Sequence, residues 1–296
     1  NGICSLNPGE DRLAFSAIMD LDKEGQLRAY SFHKSVIRSR VKGVYKEINT
    51  ILAGTQTPEI AEKYAEVTES LLLMNELADK RLADRDRRGA PSLDAPESKL
   101  ILNEDGVCVD VQPRTRGRSE LLIEEFMLLA NESAARVARE KSIPFVYRIH
   151  ENPSPEKLER LEEVLNRMNI PHPVLDEVRP CHFAQILKNA KDSPLLPALN
   201  NLLLRSMAKA KYAPTPVGHF GLALADYTHF TSPIRRYPDL AIHRILSDVV
   251  LGYSKDWFDK RYAAFVQHAS ERSSAAELRA MTAERDCEDC YKAEYM

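Results

Sequence analysis

Two adjacent arginines follow a serine–proline pair in residues 231–236, which read TSPIRR. Ser232 and Pro233 are residue types typical of an N-cap and a first helical position, so the pattern predicts a helix that begins there. The unpaired N–H groups and the positive dipole end of a helix start favour an anion, and guanidinium groups add donors suited to phosphate. The candidate phosphate contacts of this segment are Thr231, Ser232, Arg235 and Arg236. A salt bridge from an arginine to Asp239 or to another helix is the structural alternative.

Two neighbouring carboxylates, Glu124 and Glu125, lie in the otherwise apolar segment 121–130, which reads LLIEEFMLLA. A helix that is apolar all round is normally buried. Since burial of an unpaired carboxylate is costly, at least one of the two is expected to meet a cation, a ligand hydroxyl or a metal ion. An internal salt bridge is the alternative. The arginines just upstream that offer such a partner are Arg114, Arg116 and Arg118.

A run of basic residues without any acid occupies positions 33–46, in a chain with 41 basic and 44 acidic residues. If the central part of this run is extended, Arg38, Arg40 and Lys42 share one strand face with a spacing of about 6.6 Å. Such a row suits a sugar–phosphate backbone, and a charged, solvated strand face is the alternative. Tyr45 ends the run, where its ring could stack on a base or its hydroxyl could reach a phosphate.

Composition limits the class of protein. The 296 residues are 44% hydrophobic and 29% charged, which indicates a packed globular chain rather than a disordered one. The net charge is −3, so a site for a polyanion must come from local clustering. No apolar run approaches the roughly 18 residues of a membrane span. Five scattered cysteines favour a reducing cytoplasm over a disulfide scaffold, and the pair at 287 and 290 has no second pair to complete a zinc site.

The elements that must position these residues are mostly helical. Strands are predicted at 12–19, 27–32, 99–102, 107–111, 144–149 and 218–224. Helices are predicted at 44–53, 58–85, 119–141, 155–168, 183–190, 196–211, 234–251 and 255–292. Because no repeat or linker marks a domain boundary, the pattern predicts a single α+β domain that is helix-rich and contains short antiparallel β-hairpins.

Residues 229–240, HFTSPIRRYPDL, closely resemble the signature of the RNB family, the exoribonucleases of the ribonuclease II and ribonuclease R type. Of the two types, ribonuclease R is the closer. Further matches follow the family order along nearly the whole chain, at 4–8, around Tyr45, and at 88–90, 124–127, 148–150, 204–207 and 218–222. The resemblance implies that residues 1–296 are the C-terminal greater part of an RNB catalytic domain.

What the resemblance implies is processive 3′-to-5′ hydrolysis of single-stranded RNA to nucleoside 5′-monophosphates, with Mg²⁺ held by a cluster of aspartates. By motif position, Arg235 would contact the scissile phosphate, Glu124 would hold the ribose hydroxyls of the terminal nucleotide, and Tyr45 would lie beside the 3′-terminal nucleotides. The other candidate RNA contacts are Arg38, Arg40, Lys42, Arg236, Thr231, Ser232 and His219. Single-stranded or structured RNA is the expected partner of a monomeric, cytoplasmic enzyme.

Two features depart from the family pattern. The D-x-x-x-x-x-D-x-D-D cluster, which the family carries upstream of the segment matched at 4–8, occurs nowhere in the 296 residues. We therefore expect the Mg²⁺ ligands and the flanking OB-fold RNA-binding domains to lie outside this chain. Leu93 stands where family members usually have a base-stacking Phe, and loss of that ring would cost about 1–3 kcal/mol.

The sequence thus predicts an active parent enzyme and an inactive isolated chain. The first alternative is a non-catalytic RNA-binding protein derived from an RNB domain. The second is a helical scaffold without an RNA role, which would show no salt-dependent affinity for RNA.

Overall fold

The computed structural model describes residues 2–93, 98–113 and 115–296. In chain order its elements are β1 (Asp11–Leu21), β2 (Leu27–Arg38), α1 (Tyr45–Leu52), α2 (Pro58–Tyr64), α3 (Thr68–Arg87), β3 (Ser98–Leu102), β4 (Cys108–Pro113), α4 (Arg118–Lys141), β5 (Tyr147–Ile149), α5 (Pro155–Arg167), α6 (Pro180–Asn189), α7 (Leu196–Ser206), β6 (Lys211–Ala213), a 3₁₀ helix (Phe220–Leu222), α8 (Tyr237–Val250) and α9 (Lys255–Tyr295). The strands pair as three antiparallel two-stranded sheets, β1–β2, β3–β4 and β5–β6. The predicted helix-rich α+β class with short antiparallel hairpins is confirmed.

The chain folds into two compact units. The first unit comprises Asn1–Arg87, Arg116–Ile143 and Thr228–Lys260, and the second comprises Arg88–Thr115, Pro144–Tyr227 and Arg261–Met296. Within the described residues, no helix is both long enough and apolar enough to cross a membrane.

In the first unit, the β1–β2 hairpin packs on α8 through aromatic rings. The rings of Phe15 and Phe32 meet Phe230 edge-on at 5.8 and 5.2 Å, and Phe230 stacks on His243 of α8 at 4.5 Å. Phe15 and Phe32 lie on the same face of the hairpin. Ala17 is the cross-strand partner of Phe32, and Phe15, two residues before Ala17 in β1, points to the same side. This packing buries Phe230, five residues before Arg235, in the core of the unit.

The hairpin turn of the first unit is tied to α3 by buried charges. Arg81 donates to the carbonyl oxygen of Gly25 at 3.0 Å, and Gln26 donates to the Asp84 carboxylate at 2.8 Å. Arg81 and Asp84 also form an ion pair at 3.2 Å and are both almost fully buried. Because removal of one partner from a buried pair leaves the other uncompensated, this cluster fixes α3 relative to the hairpin.

The core of the second unit is formed by α5, α6 and α7. Leu158, Leu161 and Leu165 lie on one face of α5, at the spacing expected for an amphipathic helix. They pack in one cluster with apolar residues of the other elements, Phe183, Ile186, Leu199, Leu203 and Phe220. Leu93 packs against this cluster with its side chain partly buried, so in this structure it contributes to the apolar core of its unit.

Three predicted elements differ from the structure. The helix predicted at 58–85 is interrupted between Tyr64 and Thr68, whose hydroxyl donates to the Tyr64 carbonyl at 2.9 Å. The helix predicted at 196–211 ends at Ser206, because residues 211–213 pair with β5 instead. The strand predicted at 218–224 is replaced by a 3₁₀ helix at Phe220–Leu222, and only isolated β-bridges of His219 with His150 and Leu224 remain of it.

Candidate functional site

The helix that follows the serine–proline pair begins at Tyr237, with Arg236 at the N-cap. The prediction that Ser232 caps a helix starting at Pro233 is therefore wrong. Residues 232–236 instead form a turn, in which the N–H of Arg236 donates to the carbonyl oxygen of Ser232 at 3.1 Å. We call this the arginine turn. Its first residue and the preceding Thr231 are partly buried.

One buried carboxylate, Asp239, holds both ends of the arginine turn. Its Oδ1 accepts from the Ser232 N–H at 2.7 Å and from Arg236 Nη2 at 2.8 Å, while its Oδ2 accepts from Arg236 Nε at 2.9 Å. Asp239 has no exposed surface, so these bonds lie in a protected environment. The salt bridge to Asp239 that the sequence left open is thus made by Arg236.

Arg235 differs from its neighbour. Its side chain is exposed, and it forms no ion pair or hydrogen bond with any residue in the described part of the chain. A guanidinium on a fixed turn with all five N–H donors available is suited to bidentate binding of an oxyanion.

The backbone that leads into the arginine turn is held from two sides. The N–H of Phe230 donates to Asn131 Oδ1 on α4, and its carbonyl oxygen accepts from His243 Nε2 on α8, both at 2.8 Å. Burial lowers the pKa of His243, so the ring is a neutral donor at pH 7. Because His243 and Asp239 are four residues apart, α8 uses one face to hold both the approach to the turn and the turn itself.

The two adjacent glutamates of α4 have different environments. Glu125 is the buried one, with 2% of its side chain exposed against 30% for Glu124. Arg85 of α3 forms ion pairs with both, at 3.2 Å to Glu125 and 3.3 Å to Glu124. Burial raises the pKa of the Glu125 carboxyl, and the charge of Arg85 opposes that shift. The internal salt bridge expected as the alternative is present: Arg85 of α3 pairs with both glutamates, and Arg116, one of the upstream arginines, pairs with Glu124.

Glu124 keeps room for a ligand. Its second oxygen accepts from Arg116 at 3.4 Å, and Arg116 is more than half exposed. A carboxylate offers about four lone-pair positions, so both oxygens of Glu124 can accept a further hydrogen bond. Of the other upstream arginines, Arg118 bonds to Asn75 at 2.6 Å and pairs with Asp79, whereas Arg114 lies outside the described residues.

Tyr45 is the first residue of α1, and about half of its side chain is exposed. The start of α1 is fixed by the buried Tyr64, whose hydroxyl accepts from the Val44 N–H at 3.0 Å and donates to Glu47 at 2.6 Å. The carbonyl oxygen of Tyr45 accepts from the hydroxyl of Ser119 in the first turn of α4, at 3.1 Å.

The N-terminus of α4 is capped by a side chain of α1. Asn49 Oδ1 accepts from the Ser119 N–H at 2.7 Å, and its Nδ2 donates to Glu120 at 3.1 Å. Gly117 is the N-cap residue, and a Cβ at this position would lie 2.2 Å from Asn49 Nδ2. A side chain at position 117 would therefore displace Asn49 from the hydrogen bonds that cap α4.

The basic residues predicted to share one strand face do not do so. Strand β2 ends at Arg38, which pairs with Asp11 of β1 at 2.7 Å, and Arg40 lies in a bend where it pairs with Glu66 at 3.3 Å. Lys42 lies beyond the bend and is exposed. The single-face prediction is wrong because the cross-strand register stops at the Asp11–Arg38 pair. Surface pairs of this kind contribute little to stability, so both arginines can exchange their partner for a phosphate.

Helix α4 is the common support of the candidate site in the first unit. It contacts Tyr45 through Ser119, carries Glu124, and binds the approach to the arginine turn through Asn131. Glu124 and Asn131 are seven residues apart, so they lie on one helix face about 10.5 Å apart along the axis. Sequence reasoning missed the supporting residues Asn49, Tyr64, Arg85 and Asn131, whose partners are all distant in the chain.

His219 lies in the second unit, with its ring edge-on to His150 at 5.1 Å and to Tyr227 at 5.2 Å. Burial, with smaller contributions from His150 and Arg148, lowers the pKa of His219 to about 3. The imidazole is therefore neutral at pH 7 and carries no charge to offer a phosphate.

The low pKa of His219 predicts a stability that depends on pH. Below the ordinary histidine pKa, the unfolded chain binds a proton that the folded chain binds only near pH 3. We therefore expect the free energy of unfolding to fall as pH decreases from about 6.5 to 4, by at most about 1.4 kcal/mol per pH unit for this residue. Urea unfolding at a series of pH values measures this slope.

The matched variant is His219→Phe, which keeps a ring beside His150 and Tyr227 but cannot titrate. Its slope between about pH 6.5 and 4 should be shallower than that of the original chain. Equal slopes for the two proteins would show that His219 is not the titrating group.

The described residues hold no cluster of three or more His, Cys, Asp or Glu side chains arranged to bind a metal ion. The family model of the RNB domain matches residues 1–252. The chain belongs to the RNB family. The prediction drawn from the 229–240 motif is thereby confirmed.

RNB relatives named ribonuclease R match the full chain. Ribonuclease R of Thermotoga maritima is 39% identical over 303 residues, covering 100% of this chain and 42% of the relative. Ribonuclease R 1 of Lactococcus lactis subsp. lactis is 38% identical over 297 residues, covering 100% of this chain and 36% of the relative. The structure of Mycoplasma genitalium RNase R in complex with ribose methylated single-stranded RNA has a TM-score of 0.92 at 30% identity, covering 99% of this chain and 46% of that chain. The chain thus spans less than half the length of these RNB proteins.

Proposed function

We propose that this chain is the C-terminal greater part of the catalytic domain of a 3′-to-5′ exoribonuclease of the ribonuclease R type, and that this part binds the RNA. The observation that carries the proposal is Arg235, exposed and without a partner among the described residues, on a turn that a buried carboxylate holds at both ends. A partly exposed carboxylate, Glu124, lies on the helix that anchors the approach to this turn. The similarity to a ribonuclease R that is bound to single-stranded RNA supports this proposal.

Each of the three principal residues has a role that its environment allows. Arg235 donates to the scissile phosphate and stabilises the charge that grows on it during hydrolysis. Glu124 accepts hydrogen bonds from ribose hydroxyls of the terminal nucleotide, which distinguishes RNA from DNA. Tyr45 offers an exposed ring for stacking against a base near the 3′ end.

The remaining candidates contribute less directly. Arg38, Arg40 and Lys42 are exposed cations, each of which binds a phosphate of the RNA backbone, the two arginines in exchange for Asp11 and Glu66. The partly buried Thr231 and Ser232 lie at the arginine turn. Arg236 supports the turn, since Asp239 already engages its guanidinium. His219 is neutral, so it can contact RNA only as an uncharged ring.

The resemblance implies Mg²⁺ bound by aspartates that this chain does not contain. When bound, that metal supplies a water activated for attack on the phosphodiester. We therefore propose that the full-length gene product degrades RNA processively to nucleoside 5′-monophosphates as a cytoplasmic monomer, and that residues 1–296 alone bind RNA without hydrolysing it. We also propose that the catalytic domain extends over residues 253–296, which contain the whole of α9.

One experiment tests these proposals together. The 296-residue chain and the full-length gene product are incubated with single-stranded RNA that is labelled uniformly at its phosphates, in Mg²⁺ or in EDTA, and the products are separated by length. We expect nucleoside monophosphates only from the full-length protein in Mg²⁺, and salt-dependent RNA binding by both proteins.

The other outcomes are decisive. Release of monophosphates by the 296-residue chain would refute its predicted inactivity. RNA binding without hydrolysis by the full-length protein would favour the non-catalytic RNA-binding alternative. If neither protein shows salt-dependent binding, the proposed RNA role is wrong.

A further inference from the structure

The side chain of Arg235 has no partner among the described residues, so it is the backbone of the arginine turn that sets the position from which it reaches out. That backbone is held by one direct contact at each end. The Ser232 N–H donates to Asp239 at 2.7 Å at the start, and the guanidinium of Arg236 donates twice to the same carboxylate at the end.

We propose that Asp239 is the positioning residue for Arg235. The inference rests on the proposed function, in which Arg235 binds phosphate. Asp239 is fully buried beneath the turn, so it cannot itself touch RNA, and it acts only through the residues it holds. We call the contacts of Asp239 with the Ser232 N–H and with the Arg236 guanidinium the clamp. Arg236 is then part of this clamp and not a second phosphate ligand.

The chemistry of the clamp requires a carboxylate. Three donors converge on Asp239, and an ionised carboxylate accepts all three. An asparagine has nearly the same volume and keeps an oxygen at the Oδ1 position for the Ser232 N–H and Arg236 Nη2, but its amide nitrogen would face Arg236 Nε. Asp239→Asn therefore removes the negative charge and one of the two hydrogen bonds at the Arg236 end of the clamp, with little change in packing.

A second buried carboxylate of the same unit serves as a matched control. Asp84 is 4% exposed, pairs with Arg81 and Arg87, and holds the hairpin turn against α3 rather than the arginine turn. Asp84→Asn also breaks a buried ion pair, so it reproduces the general loss of stability without releasing the clamp.

The test is a double-mutant cycle on the 296-residue chain. Equilibrium dissociation constants for single-stranded RNA are measured for Arg235→Ala, Asp239→Asn and the double variant, at a temperature where urea unfolding shows each to be folded. Arg235→Ala should weaken binding by at least about tenfold, as expected for loss of a charged hydrogen bond. Asp239→Asn should give most of that loss, and the double variant should bind no more weakly than Arg235→Ala.

The control cycle combines Arg235→Ala with Asp84→Asn. Asp84→Asn alone should bind RNA like the original chain, and its effect should add to that of Arg235→Ala. A merely structural role of Asp239 would give the same additive behaviour, so the coupling between Asp239 and Arg235 is the decisive readout.

Failure of the inference can be told apart from failure of the proposed function. If Arg235→Ala leaves the RNA affinity unchanged, the phosphate role of Arg235 is wrong. If Arg235→Ala weakens binding and Asp239→Asn adds an independent effect or none, Asp239 does not position it. Should Asp239→Asn fail to fold, Arg236→Lys keeps the charge facing Asp239 and loses the paired geometry. Its effect must then be coupled to Arg235→Ala, and an additive effect overturns the inference.

Discussion

Replacement of Arg235 by alanine in the full-length gene product should lower kcat for release of nucleoside monophosphates by about 10²–10³-fold, the usual cost of removing one donor to a developing oxyanion. The expected effect is this large because the charge on the phosphate grows towards the transition state, so the guanidinium binds the transition state more tightly than the substrate. KM should change less than kcat. Steady-state hydrolysis of a labelled oligoribonucleotide measures both.

Arg235→Lys is the matched variant for this experiment. Lysine retains the positive charge but presents a point charge in place of a planar fork, so only part of the lost kcat should return. Full activity of Arg235→Ala, or a loss confined to KM, would contradict a role in the transition state. Circular dichroism should show a folded protein in each case, since Arg235 is exposed and forms no bond with the described residues.

The sequence singled out Arg235 as a candidate phosphate ligand but placed it on the wrong element. Ser232 and Pro233 have the local preferences of a helix start, yet the N–H of Ser232 is taken by Asp239, seven residues further on. The helix consequently begins at Tyr237. Local propensity could not show this, because the deciding acceptor is buried only when the hairpin and α8 have packed.

The glutamate pair shows a similar limit. An apolar helix predicted that one carboxylate would be buried and paired, which the structure confirms for Glu125. The sequence could not tell which glutamate remains reachable, because both have apolar neighbours at helical spacing. The answer depends on tertiary packing, which leaves 2% of the Glu125 side chain exposed and 30% of that of Glu124, although Arg85 of α3 pairs with both.

Elements defined by their own periodicity were predicted well. The apolar spacing of α4 and α5 gave their positions to within one residue at most ends, and the two hairpins were found, although β1 and β2 are longer than predicted. Elements that depend on distant partners were not. Residues 207–211 have helical propensity, but strand pairing with β5 ends the helix at Ser206.

The contacts that assemble the site also depend on partners that are distant in the chain. Asn49 caps α4 and Asn131 holds the backbone of Phe230, and each joins residues about 70 to 100 positions apart in the chain. An asparagine has no distinctive local pattern, so nothing in the sequence marked these two. The residues expected to touch RNA were recognisable, whereas those that place them were not.

Glu124→Gln should abolish most of the preference of the 296-residue chain for RNA over an oligonucleotide with a 2′-deoxy 3′-terminal nucleotide. A charged hydrogen-bond acceptor contributes about 1.5–3 kcal/mol, so the wild-type preference should be about 10–150-fold. Glutamine retains one weaker, neutral acceptor, and its amide nitrogen would face Arg85 or Arg116. Dissociation constants for the two oligonucleotides, measured side by side, give the preference of each variant.

Glu125→Gln is the control that separates ribose recognition from support of α4. Glu125 shares Arg85 with Glu124 but is only 2% exposed, so it cannot reach a ligand. Its replacement should lower stability and weaken binding of both oligonucleotides by the same factor, which leaves the preference intact. If Glu125→Gln removes the preference and Glu124→Gln does not, the ribose contact has been assigned to the wrong carboxylate. If neither does, discrimination between RNA and DNA does not depend on these two carboxylates and arises elsewhere.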